Sequence, residues 1–206
     1  MRAELSDDNS EAPLLLYVGR LGNEKCLKQL KDVLEAIPEA RLALVGKGPA
    51  EDELRAHFAG TQTTFMGLMQ GQRLSEAFAS ADLFVMPSDS ETLGFVVIES
   101  MASGVPVVGV RAGGVPSIIT DGETGLLAAP RDPRDFTAKV KTLLDDRTQL
   151  EGMATLAYAE MQRWGWEAAT SYLRNVQYPL AKRYFEERQN AETNPLASSN
   201  VGAFDE

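Results

Sequence analysis

The sequence predicts an α/β fold with a doubly wound parallel sheet and carboxyl-terminal helices, and three observations carry that expectation. Short apolar runs alternate with amphipathic stretches from Leu14 onward, the pattern of strands feeding crossover helices. Four of these runs end in glycine or proline, which sets tight turns along one edge of the sheet. One run, Val105 to Val110, is apolar almost throughout, as a strand buried on both faces must be.

The elements follow in order. Leu14 to Val18 reads as the first strand, ending at Gly19, and Leu27, Leu30, Leu34 and Ile37 mark one face of a helix closed by Pro38. Arg41 to Val45 is the second strand and Glu51 to Phe58 a short helix. Phe65 and Met66 end a third strand at Gly67. A helix from Gln72 to Ser80 leads to the strand Asp82 to Met86, and Pro87 to Leu93 is a polar loop. Gly94 to Ser103 is helical, and the Val105 strand follows. Gly125 to Ala128 is a last short strand, before helical segments around 133–144, 147–161 and 166–188. Residues 1–12 read as a disordered linker, 13–188 as one domain and 189–206 as a disordered polar tail.

Composition narrows the function. The 206 residues carry 30 acidic against 20 basic side chains, a net charge of -10, so a nucleic-acid footprint has no global support. An anionic ligand must be held locally. Cys26 and His57 are the only residues of their kinds, which excludes an internal disulfide and a structural zinc site. No run of about 18 apolar residues is present, and the first residues lack the apolar core of a signal peptide.

In open parallel sheets ligands bind at the carboxyl edge of the strands, and the motifs fall there. Gly19-Arg20-Leu21-Gly22-Asn23-Glu24-Lys25 combines close backbone approach with two cations, Lys25 in the expected first turn of a helix, and reads as a diphosphate clamp; the alternative is a solvated basic turn. Gly46-Lys47-Gly48 lacks the third glycine of a dinucleotide fingerprint, and Gly109 and Gly114 lack the lysine of a Walker loop. The most informative segment runs from Pro87 to Glu99. Glu91 lies in its loop, and the backbone of Leu93, Gly94 and Phe95 opens a helix whose amides can face a phosphate. Two carboxylates beside an anion site must point at hydroxyl groups, so the ligand is anionic only in its middle. A nucleoside diphosphate sugar has that charge pattern. Capping and solvation are the alternative for either glutamate alone. His57 reads as an exposed helical residue and Cys26 as helix packing. For Trp164, Trp166, Tyr172, Tyr178 and Tyr184, core packing is favoured over base stacking.

The Glu91 to Glu99 pair, with seven intervening residues, resembles the signature of retaining GT-B glycosyltransferases of the family 4 type. Gly19-Arg20 to Lys25, Gly46-x-Gly48-Pro49, Phe65-Met66-Gly67 and Gly104-x-Pro106 resemble that family's donor-binding domain in the same order. A closer resemblance, to plant and algal sulfoquinovosyltransferases, is carried by Tyr17-Val-Gly-Arg-Leu-Gly, Ser90-Glu-Thr-Leu-Gly-Phe-Val-Val, Arg111-Ala-Gly-Gly and the segment from Trp166 to Tyr178.

The resemblance implies a Rossmann-like domain, the carboxyl-terminal half of a GT-B fold. It implies that Arg20 and Lys25 neutralise the donor diphosphate, helped by amides near Leu93, Gly94 and Phe95, that Gly19 and Gly46 belong to the same donor-binding set, and that no metal or other cofactor is needed. Glu99 would hold the ribose, Glu91 the transferred sugar as the catalytic position, and Met66 and Gly67 the uracil. Arg111 is the candidate for a sulfonate or acceptor contact. The full enzyme would move sulfoquinovose from UDP-sulfoquinovose to diacylglycerol at a plastid membrane. This chain would be an inactive donor half, starting near an interdomain linker and prone to self-association; the alternative is a non-catalytic nucleotide-sugar-binding or interaction module.

Overall fold

The computed structural model describes residues 1–164, 174–175 and 178–193. Two units are distinguished, Met1–Gln162 and Arg163–Glu206.

The first unit is built on six strands: β1 (Leu14–Val18), β2 (Arg41–Val45), β3 (Thr63–Gly67), β4 (Leu83–Met86), β5 (Val107–Val110) and β6 (Gly125–Ala128). They form one sheet in the order β3-β2-β1-β4-β5-β6, and every pairing is parallel. All residues of β1, β4, β5 and β6 are buried, so helices cover both faces. The helices are α1 (Arg2–Leu5), α2 (Leu30–Ala36), α3 (Glu51–His57), α4 (Gly71–Ser80), α5 (Phe95–Ala102), α6 (Pro133–Asp145) and α7 (Arg147–Met161). Helix α2 packs on α6, and α5 packs on α7. Asp132 caps α6, accepting from the amides of Arg134 and Asp135, and Asp146 caps α7 through the amide of Gln149. The doubly wound α/β architecture is therefore the one expected.

Several expectations are corrected. Residues 1–12 are not a loose linker: α1 buries Leu5, and Arg2 bonds the carbonyls of Ser10, Ala12 and Ser80 and pairs with Asp82 at 2.7 Å. The Asp82 carboxylate also takes the Leu14 amide, so this buried-edge arginine fastens the amino terminus to the start of β1. The helical stretch expected to carry Leu27, Leu30, Leu34 and Ile37 opens at Leu27 as a single 3-10 turn and becomes α-helical at Leu30, the start of α2. Before it the chain makes two tight turns, Asn23–Lys25 and Leu27–Gln29, separated by Cys26 in the left-handed conformation at φ 53°, which no continuous helix admits. Cys26 is thus a turn residue rather than part of a helix face.

In the second unit, α8 (Tyr178–Thr193) continues past residue 188, where a tail was expected to begin. Trp164, Tyr178 and Tyr184 are exposed rather than packed in a core. Arg183 lies over the Tyr184 ring, 5.7 Å from its centroid. Trp166, Tyr172 and residues 194–206 lie outside the described residues.

One glycine pair tests how tightly the sheet edge is built. A Cβ on Gly46 would stand 1.9 Å from the Gly19 carbonyl oxygen, and φ there is +138°. Gly152, in the exposed middle of α7, has nothing within 4 Å of that position. Gly46→Ala is expected to lower the thermal midpoint by about 5 °C or more, whereas Gly152→Ala leaves it unchanged or raises it by a degree or two. Equal midpoints for the two variants in a thermal melt would contradict this packing.

Candidate functional site

Strand order turns back between β1 and β4, so the connections leaving these neighbours diverge to opposite faces and open a crevice at the carboxyl edge. Each loop rests on a glycine turn. The Gly19 amide donates to the Val45 carbonyl at 2.9 Å and the Leu21 amide to that of Lys47 at 3.0 Å. Beneath them a Cβ on Gly48 would lie 2.2 Å from the Leu21 oxygen. The Gly46-Lys47-Gly48 turn is therefore glycine-rich because the β1 loop lies directly on it. The β4 loop repeats the arrangement. A Cβ on Gly113 or Gly114 would stand 2.1 Å from the Glu91 oxygen or 2.2 Å from that of Thr92, and the Gly114 amide donates to Glu91 O at 2.8 Å.

Across the crevice the two loops are tied by charge. Lys25 Nζ meets Glu91 Oε2 at 2.9 Å, both side chains being under one-fifth exposed at 18% and 19%. Glu91 Oε1 accepts the Gly94 amide at 3.2 Å. Burial alone would push the Glu91 carboxyl up, but the Lys25 ammonium and the amides of Gly94 and Thr92 together hold it below its ordinary value. Further ties run alongside: the Ser88 and Ser90 hydroxyls each donate to Glu24 O at 3.3 Å, and Gln29 Nε2 to Pro87 O at 2.9 Å. Lys25 closes a tight turn five residues before α2, so it reaches the site from that turn and not from a helix N-terminus as expected.

The other candidates divide into those at the crevice and one apart from it. Gly94, left-handed at φ 64°, precedes α5, and by helix geometry the Phe95 and Val96 amides have no intrahelical acceptor. Leu93 and Phe95 flank it with exposed side chains. Glu99, one turn into α5, has no side-chain partner among the described residues, and burial pushes its carboxyl up. Arg20 stands exposed on the β1 loop, 3.1 Å from Glu24. Half-buried Met66 and Gly67 end β3, where the Gly67 carbonyl accepts the Gly46 amide at 2.8 Å. Arg111 is held elsewhere: it pairs with Asp121, whose other oxygen takes the Leu127 amide at 2.8 Å.

Gln29, Ser88 and Ser90 join the loops and Tyr17 braces the β1 loop from below, roles the sequence did not assign to them. The visible signals were a hydroxyl-bearing residue inside the otherwise aliphatic β1 run and the places of Tyr17 and Ser90 in the motifs that carry the resemblance. His57, in contact with Lys28 O and the Phe58 ring, is remote from the crevice chemistry. Among the described residues no group of three or more His, Cys, Asp or Glu side chains is placed to hold a metal ion, and no helix is long and apolar enough to cross a membrane.

Among the described residues of the first unit, two further concavities stand out. One, of about 300 Å³, is bordered by Cys26, Pro87, Asp89 and Arg131. The other, of about 590 Å³, is an open furrow between α2 and α6, lined by Asp32, Glu35, Arg134 and Lys141. The furrow is the larger, yet it lies between helices and away from the glycine turns. Convergent polar groups, not volume, distinguish the crevice.

Comparison with known proteins agrees on the architecture. Residues 12–146 match the family model described as glycosyl transferases group 1. The chain is 45% identical over 199 residues to a sulfoquinovosyl transferase of Arabidopsis thaliana, covering 95% of this chain and 39% of that protein. It is 33% identical over 181 residues to a glycogen synthase of Mycobacterium tuberculosis, covering 82% of this chain and 43% of the relative. The chain thus spans less than half the length of these curated relatives. Among solved structures, the carboxyl-terminal domain of a group 1 family protein from Francisella tularensis superposes with a TM-score of 0.63 at 22% identity, covering 79% of this chain and 91% of that one. Sucrose-phosphate synthase from Thermosynechococcus elongatus superposes with a TM-score of 0.74 at 26% identity, covering 89% and 49%.

The depressed Glu91 carboxyl sets a pH dependence. Its folded value lies below the ordinary 4.5, so the stability it contributes is present above that value and is lost as pH falls through the folded one. Wild-type chain and Glu91→Gln are expected to differ in unfolding free energy by a constant amount above about pH 5, and that difference to shrink as pH falls through the folded value of Glu91. A difference that stayed flat through this window in denaturant titrations would contradict the ion pair.

Proposed function

The chain belongs to the group 1 glycosyl transferases, and from that membership we propose that it binds the UDP-sugar donor at the crevice between the β1 and β4 loops. The observation that carries this reading is the alternation of charge there: Lys25 against Glu91, with the partnerless Glu99 one turn further along α5. A diphosphate lies between, meeting Arg20, Lys25 and the amides around Leu93, Gly94 and Phe95, while the two carboxylates accept from hydroxyls at either end. Glu99 holds the ribose and Glu91 the transferred sugar, beside the bond that is broken. The end of β3, at Met66 and Gly67, receives the uracil. An ammonium has three N–H groups, so Lys25 bonds a phosphate oxygen while keeping Glu91 oriented. With two cations and helix-end amides on the diphosphate, charge neutralisation needs no divalent metal.

We further propose that the transferred sugar is sulfoquinovose and the acceptor diacylglycerol, bound by the rest of a longer enzyme at a plastid membrane. Support comes from the 45% identity to the Arabidopsis sulfoquinovosyl transferase over nearly the whole chain. Arg111 is the sulfonate contact in this reading, which requires the anion to compete with Asp121 for the guanidinium. The chain alone binds donor without turning it over, because transfer needs donor and acceptor held together.

Titration calorimetry of the chain with UDP checks the donor site. Wild type is expected to bind equally with and without EDTA, and Arg20→Ala combined with Lys25→Ala to lose at least about tenfold in affinity. Unchanged affinity in that double variant would remove the clamp. Arg111→Ala is expected to leave UDP affinity unaltered and to weaken UDP-sulfoquinovose.

A further inference from the structure

We infer that Tyr17 is a positioning residue for the donor diphosphate: its hydroxyl, buried beneath the β1 loop, holds the Arg20 carbonyl and so fixes where the Arg20 guanidinium meets the phosphates. This role presupposes the donor site proposed above.

Tyr17 is 1% exposed in a strand whose other members are all aliphatic. A phenol in such surroundings needs a hydrogen-bond acceptor, and this one donates to Arg20 O at 3.0 Å. The same carbonyl accepts the Gly22 amide at 3.1 Å, so two donors converge on the peptide that carries Arg20. The ring also occupies the space that a side chain at residue 19 would need. A Cβ on Gly19 would stand 2.8 Å from the Tyr17 oxygen, with φ at +154°. Glycine at 19 and tyrosine at 17 are therefore one arrangement, in which the loop folds down over the phenol.

The hydroxyl also lies within the field of both carboxylates that flank the loop. Burial first, then the charges of Glu91 and Glu24, push its ionisation far above the ordinary phenol value. It stays a donor at any pH the protein meets, and the Arg20 carbonyl is never opposed by a phenolate. Arg20 itself is mostly solvent-exposed and among the described residues its side chain reaches only Glu24, so its peptide, more than its guanidinium, is what the fold holds. Phenylalanine at 17 would keep the ring packing and remove that hold alone.

The test is a double-mutant cycle read by UDP affinity in calorimetry, with uridine binding followed by ligand-observed NMR. Tyr17→Phe is expected to weaken UDP about fivefold and leave uridine unchanged, because only the phosphate contact runs through Arg20. In an Arg20→Ala background the same change is expected to have no effect. Equal UDP affinity for wild type and Tyr17→Phe would overturn the role. So would an undiminished loss in the Arg20→Ala background, or a parallel loss of uridine, since a general loosening of the strand moves both. A wild-type chain with no affinity for UDP would overturn the donor site itself, an outcome distinct from these.

Discussion

The ammonium of Lys25 and the carboxylate of Glu91 meet across the one place where the strand order of the sheet turns back. Loops leaving neighbouring parallel strands in opposite directions have no backbone ladder between them, so something else must fix their separation. Here it is a largely buried ion pair, supported by the serine hydroxyls on Glu24 and by Gln29 on Pro87. The pair is polar enough to exchange partners with a ligand and sheltered enough to hold its geometry without one. That combination makes it a structural tie in the free chain and a recognition element in the proposed donor complex.

Such a tie works only if each loop is itself held flat, and the backbone does this by direct apposition. Gly46 and Gly48 lie under the β1 loop, and Gly113 and Gly114 under the β4 loop, at distances that leave no room for a Cβ. The glycines thus serve the chain's own carbonyls more than any ligand. This explains why the segment Gly46-Lys47-Gly48 looks like a broken dinucleotide fingerprint: its task is to seat Gly19 and Leu21. Likewise, Gly113 and Gly114 seat Glu91 and Thr92.

Much of this was legible beforehand, for physical reasons. The strands announced themselves because a sheet buried on both faces demands unbroken apolar runs, and the carboxyl edge because turns there demand glycine. Glu91, Glu99, Arg20 and Lys25 stood out because cations and carboxylates around glycine turns match a ligand that is anionic only in its middle. Other features had no local signature. The left-handed Cys26 separates the Lys25 turn from the helical stretch that Leu27, Leu30 and Leu34 mark, since periodicity does not register a single dihedral. Arg2 anchored a segment that composition read as linker, because its partners at Ser80 and Asp82 are some eighty residues away. Long-range hydrogen bonds of that kind, like those of Ser88 and Ser90 to Glu24, exist only once the fold has brought the loops together.

In the proposed complex the donor lies at the switch-point crevice rather than in either of the two concavities. Amide chemical shifts of the isotope-labelled chain, followed as UDP is added, test that placement residue by residue. The expected perturbations fall on the segment from Gly19 to Lys25, on Met66 and Gly67, and on Glu91 through Glu99. Shifts confined instead to the furrow between α2 and α6, or to the hollow bordered by Cys26, Asp89 and Arg131, would contradict it.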